Sequence, residues 1–332
     1  VNRMWVTGPG QMHLLPKQKQ PGQPQNTTRI SWAKLLDFDG QMVSLEKDVQ
    51  TVVQSQGTAG ETTLTRISGA LLQTTFDRHL DLRKPDRTTP LQLGRLTYGG
   101  NVKILSQTHT RDGQPLAVDQ LHVHSMTLHM TPSSQKGDLK ATGPGWGSSV
   151  RINPRKQTPT TNDRDPSQPR LPGSDSNLIY VRVQFENGIV GNIMKRYIRF
   201  YRRVQTIYGP VANWNSTLSH ETLGEEGIEL TSDQLQIADL QYRGQPSLVM
   251  EALGSTRIDS MKYSALAHRL TYAQSNSLLT LDGDRDHAEL VIKPRRQTPD
   301  VIAGKIMYWL DTNRLQVERA IRLDLGRFPN RP

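Results

Sequence analysis

The chain contains no cysteine, which removes disulfide frameworks, thiolate zinc sites and cysteine nucleophiles from consideration. Aromatic side chains are sparse, with five Phe and five Trp among 332 residues, and apolar residues make up only 34% of the whole. That supply favours thin layers with one wet face over a single thick core. No window approaches the roughly 18–20 consecutive apolar residues of a membrane-spanning helix, and the start has no charged and apolar leader tract. The first residue is Val1, which fits a mature form or a piece of a longer protein. Helical i, i+3, i+4 patterning is scarce, so helix is expected at most over 37–45 and 218–227. Catalytic signatures are missing as well. There is no Gly-x-Ser-x-Gly elbow, no His-Glu-x-x-His and no Gly-x-x-x-x-Gly-Lys, so a non-enzymatic protein without a cofactor is expected.

What the chain does carry is positive charge, +10 in net terms, which attracts anionic partners: nucleic acid, a membrane surface or a phosphorylated glycolipid. The basic residues are scattered through Arg151, Arg155 and Lys156, Arg199, Arg202 and Arg203, and Lys293, Arg295 and Arg296. No single basic run dominates, which speaks against a nucleic-acid tail.

Period-two alternation recurs from end to end. Val43, Leu45, Val49 and Val53 share a parity with Lys47 and Thr51. Ile179, Val181, Val183 and Phe185 alternate with Tyr180, Arg182 and Gln184. Ile198, Phe200, Val204, Thr206 and Tyr208 oppose Arg199, Tyr201, Arg203 and Gln205. Each row predicts a half-buried strand. Turn residues punctuate the rows at Phe38-Asp39-Gly40, Gly99-Gly100-Asn101, Glu186-Asn187-Gly188 and Leu281-Asp282-Gly283. Two stretches interrupt the pattern, the Gln- and Pro-rich 16–28 and the Pro-rich 153–177, and both are expected as extended or disordered loops.

Self-similarity turns these strands into repeats. Ala267, Leu270, Tyr272, Leu279 and Leu281 match Ala303, Ile306, Tyr308, Leu315 and Val317 at a constant displacement of 36 residues. Each copy is a strand, a polar turn and a second strand, which makes the unit a hairpin. Asp119-Gln120-Leu121-His122-Val123 returns as Asp233-Gln234-Leu235-Gln236-Ile237, Val49-Gln50-Thr51-Val52 as Val204-Gln205-Thr206-Ile207, and Thr7-Gly8-Pro9-Gly10 as Thr142-Gly143-Pro144-Gly145. A hairpin cannot bury its apolar face alone, so stacked neighbours must supply the core. The expected organisation is all-β: stacked antiparallel hairpin repeats in two related halves, 1–152 and 178–325, around a flexible loop at 153–177, with a tail at 326–332.

The Ala-x-x-Leu-x-Tyr, polar turn, Leu-x-Leu-x-Gly pattern of 267–283, followed by 303–317, resembles the OstA-like repeats of lipopolysaccharide-transport bridge proteins. The blocks 36–53 and 96–145 are similar to weaker copies. The resemblance implies a folded-over β-jellyroll whose V-shaped trough holds acyl chains. It also implies a periplasmic or envelope location, with any membrane anchor lying outside this chain. The implied ligand is lipopolysaccharide or a similar anionic amphipathic lipid. Other envelope-transport proteins would dock through edge strands, self-association is expected by the same route, and no nucleic acid is expected. The implied lining comprises Val43, Leu45 and Val49, Val102 and Ile104, Val181, Val183 and Phe185, and Ile198, Phe200 and Val204, with Leu279, Leu281, Leu315 and Val317 from the repeats. The chain departs from a simple bridge subunit in its length, its Pro-rich insert and its basicity. Two further readings stay open: a scaffold assembling end to end without ligand, and a basic nucleic-acid binder.

Other constellations carry less. His122 and His124 have the spacing of metal ligands on one strand face, but His129 has the opposite parity and no carboxylate completes a set. Asp282, Asp284 and Asp286 begin like a calcium loop, yet His287 stands where Gly is needed and Lys293 where the distal Glu is needed. Arg199, Tyr201 and Arg203 could serve stacked bases, but no second aromatic-basic strand accompanies them, and a wet outer face explains them.

Overall fold

The computed structural model describes residues 3–14, 26–57, 60–80, 93–131, 136–152, 178–242, 245–284, 286–293, 299–312 and 314–324. The insert at 153–177, the tail at 326–332, most of 16–28 and the basic residues Arg155, Lys156, Arg295 and Arg296 lie outside them. Among the described residues the regular structure is twenty β-strands and two single 3-10 turns, His220–Thr222 and Gln274–Asn276. Their ladders are antiparallel. The chain is therefore an all-β protein of antiparallel hairpins.

It divides into two compact units, one of Val1–Arg151 with Gly188–Lys195 and one of Ile152–Asn187 with Arg196–Pro332. In the first, β1 (Met4–Thr7) and β2 (Gly10–Leu14) lie against β4 (Leu35–Phe38) and β3 (Thr27–Trp32), which take the two halves of β5 (Met42–Gln56). Next come β6 (Thr62–Phe76), β7 (Leu93–His109) and β8 (Pro115–Thr131), whose two halves pair with β9 (Lys136–Thr142) and β10 (Gly145–Ile152). Strand β12 (Gly188–Asn192) falls by sequence in the C-terminal half but pairs with β9. The second unit runs through β11 (Leu178–Phe185), β13 (Tyr197–Val211), β14 (Ile228–Tyr242), β15 (Gln245–Ser260) and β16 (Tyr263–Ala273). Then β17 (Leu278–Asp282) and β18 (Ala288–Ile292) share β16, β19 (Val301–Trp309) pairs with both, and β20 (Arg314–Leu323) closes the series.

No helix forms over 37–45. The Asp39 carboxylate accepts the backbone N–H groups of Gln41 at 2.9 Å and Met42 at 2.7 Å, and Gly40 takes φ +102°. Those contacts hold the Asp39 carboxyl below its ordinary value and reverse the chain into the β4–β5 hairpin. Over 218–227 only the 3-10 turn appears.

The long strands share a device that alternation alone does not reveal. Four of them carry two consecutive residues in the left-handed region: Lys47-Asp48 in β5, Gly100-Asn101 in β7, Arg202-Arg203 in β13 and Gly254-Ser255 in β15. Each pair coincides with a register shift in its ladders. Gly99-Gly100-Asn101, expected as a hairpin turn, is therefore a bulge inside β7. The residues flanking each pair, Leu45 and Val49, Tyr98 and Val102, Phe200 and Val204, Ala252 and Thr256, are all buried. The extra residue bends the strand and returns the same side of it to the interior.

Cross-strand pairing links one buried residue per strand into continuous ladders. In the first unit Leu36, Leu45, Leu72, Tyr98, Met126, Ala141 and Ile189 stand successively opposite one another. In the second the series is Phe200, Leu235, Ala252, Leu270, Leu281 and Ile306, ending at half-buried Val317. The pairs Leu270–Leu281 and Ile306–Val317 are the repeat positions found by displacement, and each hairpin closes through a short polar turn.

The first unit contains direct evidence of the bend. Ile104 lies level with Thr51 through Ile67, and Tyr98 sits six residues further along β7. A straight strand would separate Tyr98 from that level by roughly 20 Å, at about 3.3 Å per residue. Instead the Tyr98 hydroxyl donates to Thr51 Oγ1, so the part of the sheet before the bulge faces the part after it.

Gly100 has φ +76°, and a Cβ placed on it would come within 2.5 Å of the Ala70 Cβ. Gly100→Ala should lower stability by about 1–3 kcal/mol. Lys47→Gly, which relieves a side chain held at φ +66°, should be neutral or stabilising by up to about 1 kcal/mol. Urea midpoints of the two variants, moving in these opposite senses, check the role of the left-handed step.

Candidate functional site

The apolar positions singled out in the sequence separate into two groups. Val43, Leu45, Val49 and Val102 are buried in the first unit, and Val183, Phe185, Phe200, Val204, Leu279 and Leu281 in the second, where the Phe185 and Phe200 rings are 5.5 Å apart. Ile104, Val181, Ile198, Leu315 and Val317 are only half-buried.

On the core-facing side of the first unit, burial is graded away from the bulge. Val49, Val102 and Val123 are closed off. The next row starts with buried Ile30 and Thr51 and continues through Ile67, Ile104 and Leu121, which remain half-buried. Beyond it, past half-buried Val53 on β5, the same side turns hydroxylic on the neighbouring strands. Thr65 and Ser106 share a hydrogen bond of 3.1 Å, as do Thr63 and Thr108, while Asp119 pairs with Arg151 at 3.0 Å. The surface thus passes from aliphatic to polar along the strand direction.

The corresponding row of the second unit is shut. Val183, Thr206, Leu230, Ile258, Ala265, Leu290 and Val301 stand opposite one another in order, and all are buried. Thr51 matches Thr206 in the echo of Val49-Gln50-Thr51-Val52. Ile67, Ile104 and Leu121 therefore occupy the strand positions of Leu230, Ile258 and Ala265.

The other face of the first unit has a depression of about 510 Å³ across β5, β6, β7, β8 and β10. Gln50, Ser68, Lys103, His122 and Trp146 form one row of direct cross-strand partners; Val52, Arg66, Leu105 and Gln120 form the next. Thr51, Ile67, Ile104 and Leu121 make up the strip between the rows, and alternation sends their side chains to the core-facing side. His122 meets Trp146 edge-on, with ring centroids 6.1 Å apart. In the sequence His122 stands out only as half of a possible ligand pair; its neighbours Arg66, Lys103 and Trp146 are hidden there because they come from three different strands.

Among the described residues no group of three or more His, Cys, Asp or Glu side chains is placed to hold a metal ion. Asp282 accepts the backbone N–H of Asp284 at 2.9 Å, forming a turn after β17. Arg203 pairs with Glu186 at 2.9 Å and Arg199 with Gln236 at 3.0 Å, so both are engaged with neighbouring strands. Burial pushes the Tyr98 phenol up to about 12, which keeps it a neutral donor to Thr51 throughout the physiological range. Burial opposes the charged form of Asp259, but hydrogen bonds and charge from Lys293 and Arg257 outweigh it and hold this carboxyl below its ordinary value.

No protein-family model matches the chain, and no curated protein matches it.

Tyr98→Phe should cost about 1 kcal/mol in denaturant unfolding, since it deletes one buried hydrogen bond and leaves the ring in place. The lowered Asp259 carboxyl favours the folded state above its unfolded value, and that contribution is lost as the pH falls through its folded value. Asp259→Asn should therefore lower stability by a constant amount above the unfolded value and flatten the acid limb of a stability profile, so that variant and parent converge at low pH.

Proposed function

We propose that this is a non-enzymatic protein of the cell envelope whose first unit shields the acyl chains of an anionic amphipathic lipid of the lipopolysaccharide type. The observation that carries this reading is the graded core-facing surface of that unit. Closed aliphatic residues give way to the half-buried row Ile67, Ile104 and Leu121, then to hydroxyls and the Asp119–Arg151 pair. Such a gradient matches a ligand with an apolar body and a polar head. Shielding needs no catalytic group, because apolar area removed from water contributes about 25 cal/mol per Å². A folded-over jellyroll with a trough, as in OstA-like proteins, fits both the sequence resemblance and the Tyr98–Thr51 contact across the bend.

The closed row of the second unit favours a structural part for that unit in the same protein. Open edges would serve partners. Strand β1 is exposed throughout, with Trp5 at 66%, and pairs with β4 alone among the described strands, while β20 pairs with β19 alone. Among the described residues both leave an edge to which another copy or another envelope protein would add a strand.

Photo-crosslinking side chains at Ile104 and Leu121, exposed to lipopolysaccharide, should be labelled. Probes at Ile258 in the closed row and at outward-facing Ser44 should not. Equal labelling at all four positions would sink the proposal.

A further inference from the structure

We propose that the depression on the outer face of the first unit binds an acidic saccharide, a sugar ring bearing phosphate, sulfate or carboxylate. The charge is uncompensated. Arg66 and Lys103 line the depression, and Arg29 extends the Arg66 row from opposite Val52. Neither lining row contains a carboxylate, and none of these three cations makes a hydrogen bond or ion pair with a described residue. Like charges on neighbouring strands repel, and a bound anion turns that cost into attraction.

The second unit shows that the sheet does not require this arrangement. The pairs Val52–Arg66 and Arg66–Leu105 correspond there to Ile207–Glu229 and Glu229–Asp259, and Lys103 corresponds to Arg257. At those positions the charges are satisfied. Glu229 meets Gln205 and His220, and Asp259 meets Arg257 and Lys293. Carboxylates stand where the first unit has Arg66 and Leu105, so among the described residues the cations of this face are balanced in the second unit and not in the first.

The remaining lining chemistry selects a ring. Trp146 is half-buried, and the edge-on contact from His122 helps fix its indole plane. Gln120 on the strand next to Trp146, with Ser68 and Gln50 further along the lining, supplies amide and hydroxyl partners. An apolar face for the C–H side of a sugar, neutral hydrogen-bonding groups for its hydroxyls and cations for its acid make a complementary set. The volume of about 510 Å³ lies within the range of small-ligand sites. Single-stranded nucleic acid would call for successive aromatic platforms, whereas one Trp lines the depression. A membrane surface would call for protruding apolar side chains, whereas Val52 and Leu105 are half-buried.

This site lies on the opposite face from the graded acyl surface, so lipid-free probes separate the two. The full chain would be tested on immobilised, lipid-free oligosaccharides: neutral maltose and chitin oligomers against hyaluronan, sulfated heparin fragments and a phosphorylated mannan. At least one acidic series should be retained about tenfold more tightly than its neutral counterparts, a difference of about 1.4 kcal/mol. Retention should weaken with salt. The double variant Arg66→Glu, Lys103→Glu should abolish it, and Trp146→Phe should weaken it while thermal unfolding stays unchanged. Lipid crosslinking at Ile104 should survive both variants. Equal retention of neutral and acidic glycans, no retention of any glycan, insensitivity to the variants, or preference for an oligonucleotide or a polyglutamate peptide would each overturn the proposal.

Discussion

A strand that bends must still present the same side to the interior, and this chain meets the requirement with two left-handed residues inserted at one level of alternate strands. Lys47-Asp48, Gly100-Asn101, Arg202-Arg203 and Gly254-Ser255 each take a four-residue step between buried positions. The strand that follows each of them crosses the bend in three residues, as between Leu72 and Gly69 or Leu270 and Ala267. Long and short steps alternate because each bulged strand carries one residue more than the neighbour it pairs with. Six of these eight residues are not glycine, so the backbone carries a cost of about 1–2 kcal/mol at each. The buried ladders on either side of the bend offset it.

With the bend set, the same row is closed in one unit and partly open in the other, although its side chains are no larger where it is closed. The two units share the same strand positions, yet the row through Thr206, Leu230 and Ile258 is sealed, whereas the row through Thr51, Ile67 and Ile104 stays partly open. The open row runs into hydroxyls rather than further aliphatic residues, which leaves an amphipathic surface in one unit and a packed core in the other. The outer faces diverge in the same way, with paired charges around Asp259 in the second unit and, among the described residues, cations without an ion-pair partner at Arg66 and Lys103 in the first.

Much of the fold is legible in the sequence because a strand records its environment at every second residue. Val181, Val183 and Phe185 or Leu279 and Leu281 announce strands whatever their neighbours do, and the displacement between Leu270–Leu281 and Ile306–Val317 announces the hairpin repeat. The four-residue step hides from the same reasoning, since it preserves parity: Leu45 and Val49 look like one uninterrupted row, and Lys47 between them looks like a lapse. Gly99-Gly100-Asn101 has the composition of a turn, and only its cross-strand partners Leu71 and Ser125 show that it lies within the sheet.

By itself, then, the sequence determined that the protein is made of antiparallel hairpins, that they repeat, and that apolar rows line one side of each strand, because these properties are local and periodic. The tertiary structure alone decided which rows are sealed and which stay open, that β12 joins the first unit, and that Arg66, Lys103, His122 and Trp146 share one depression. Those outcomes depend on strand register, and register is set by the sum of all cross-strand contacts rather than by any one segment.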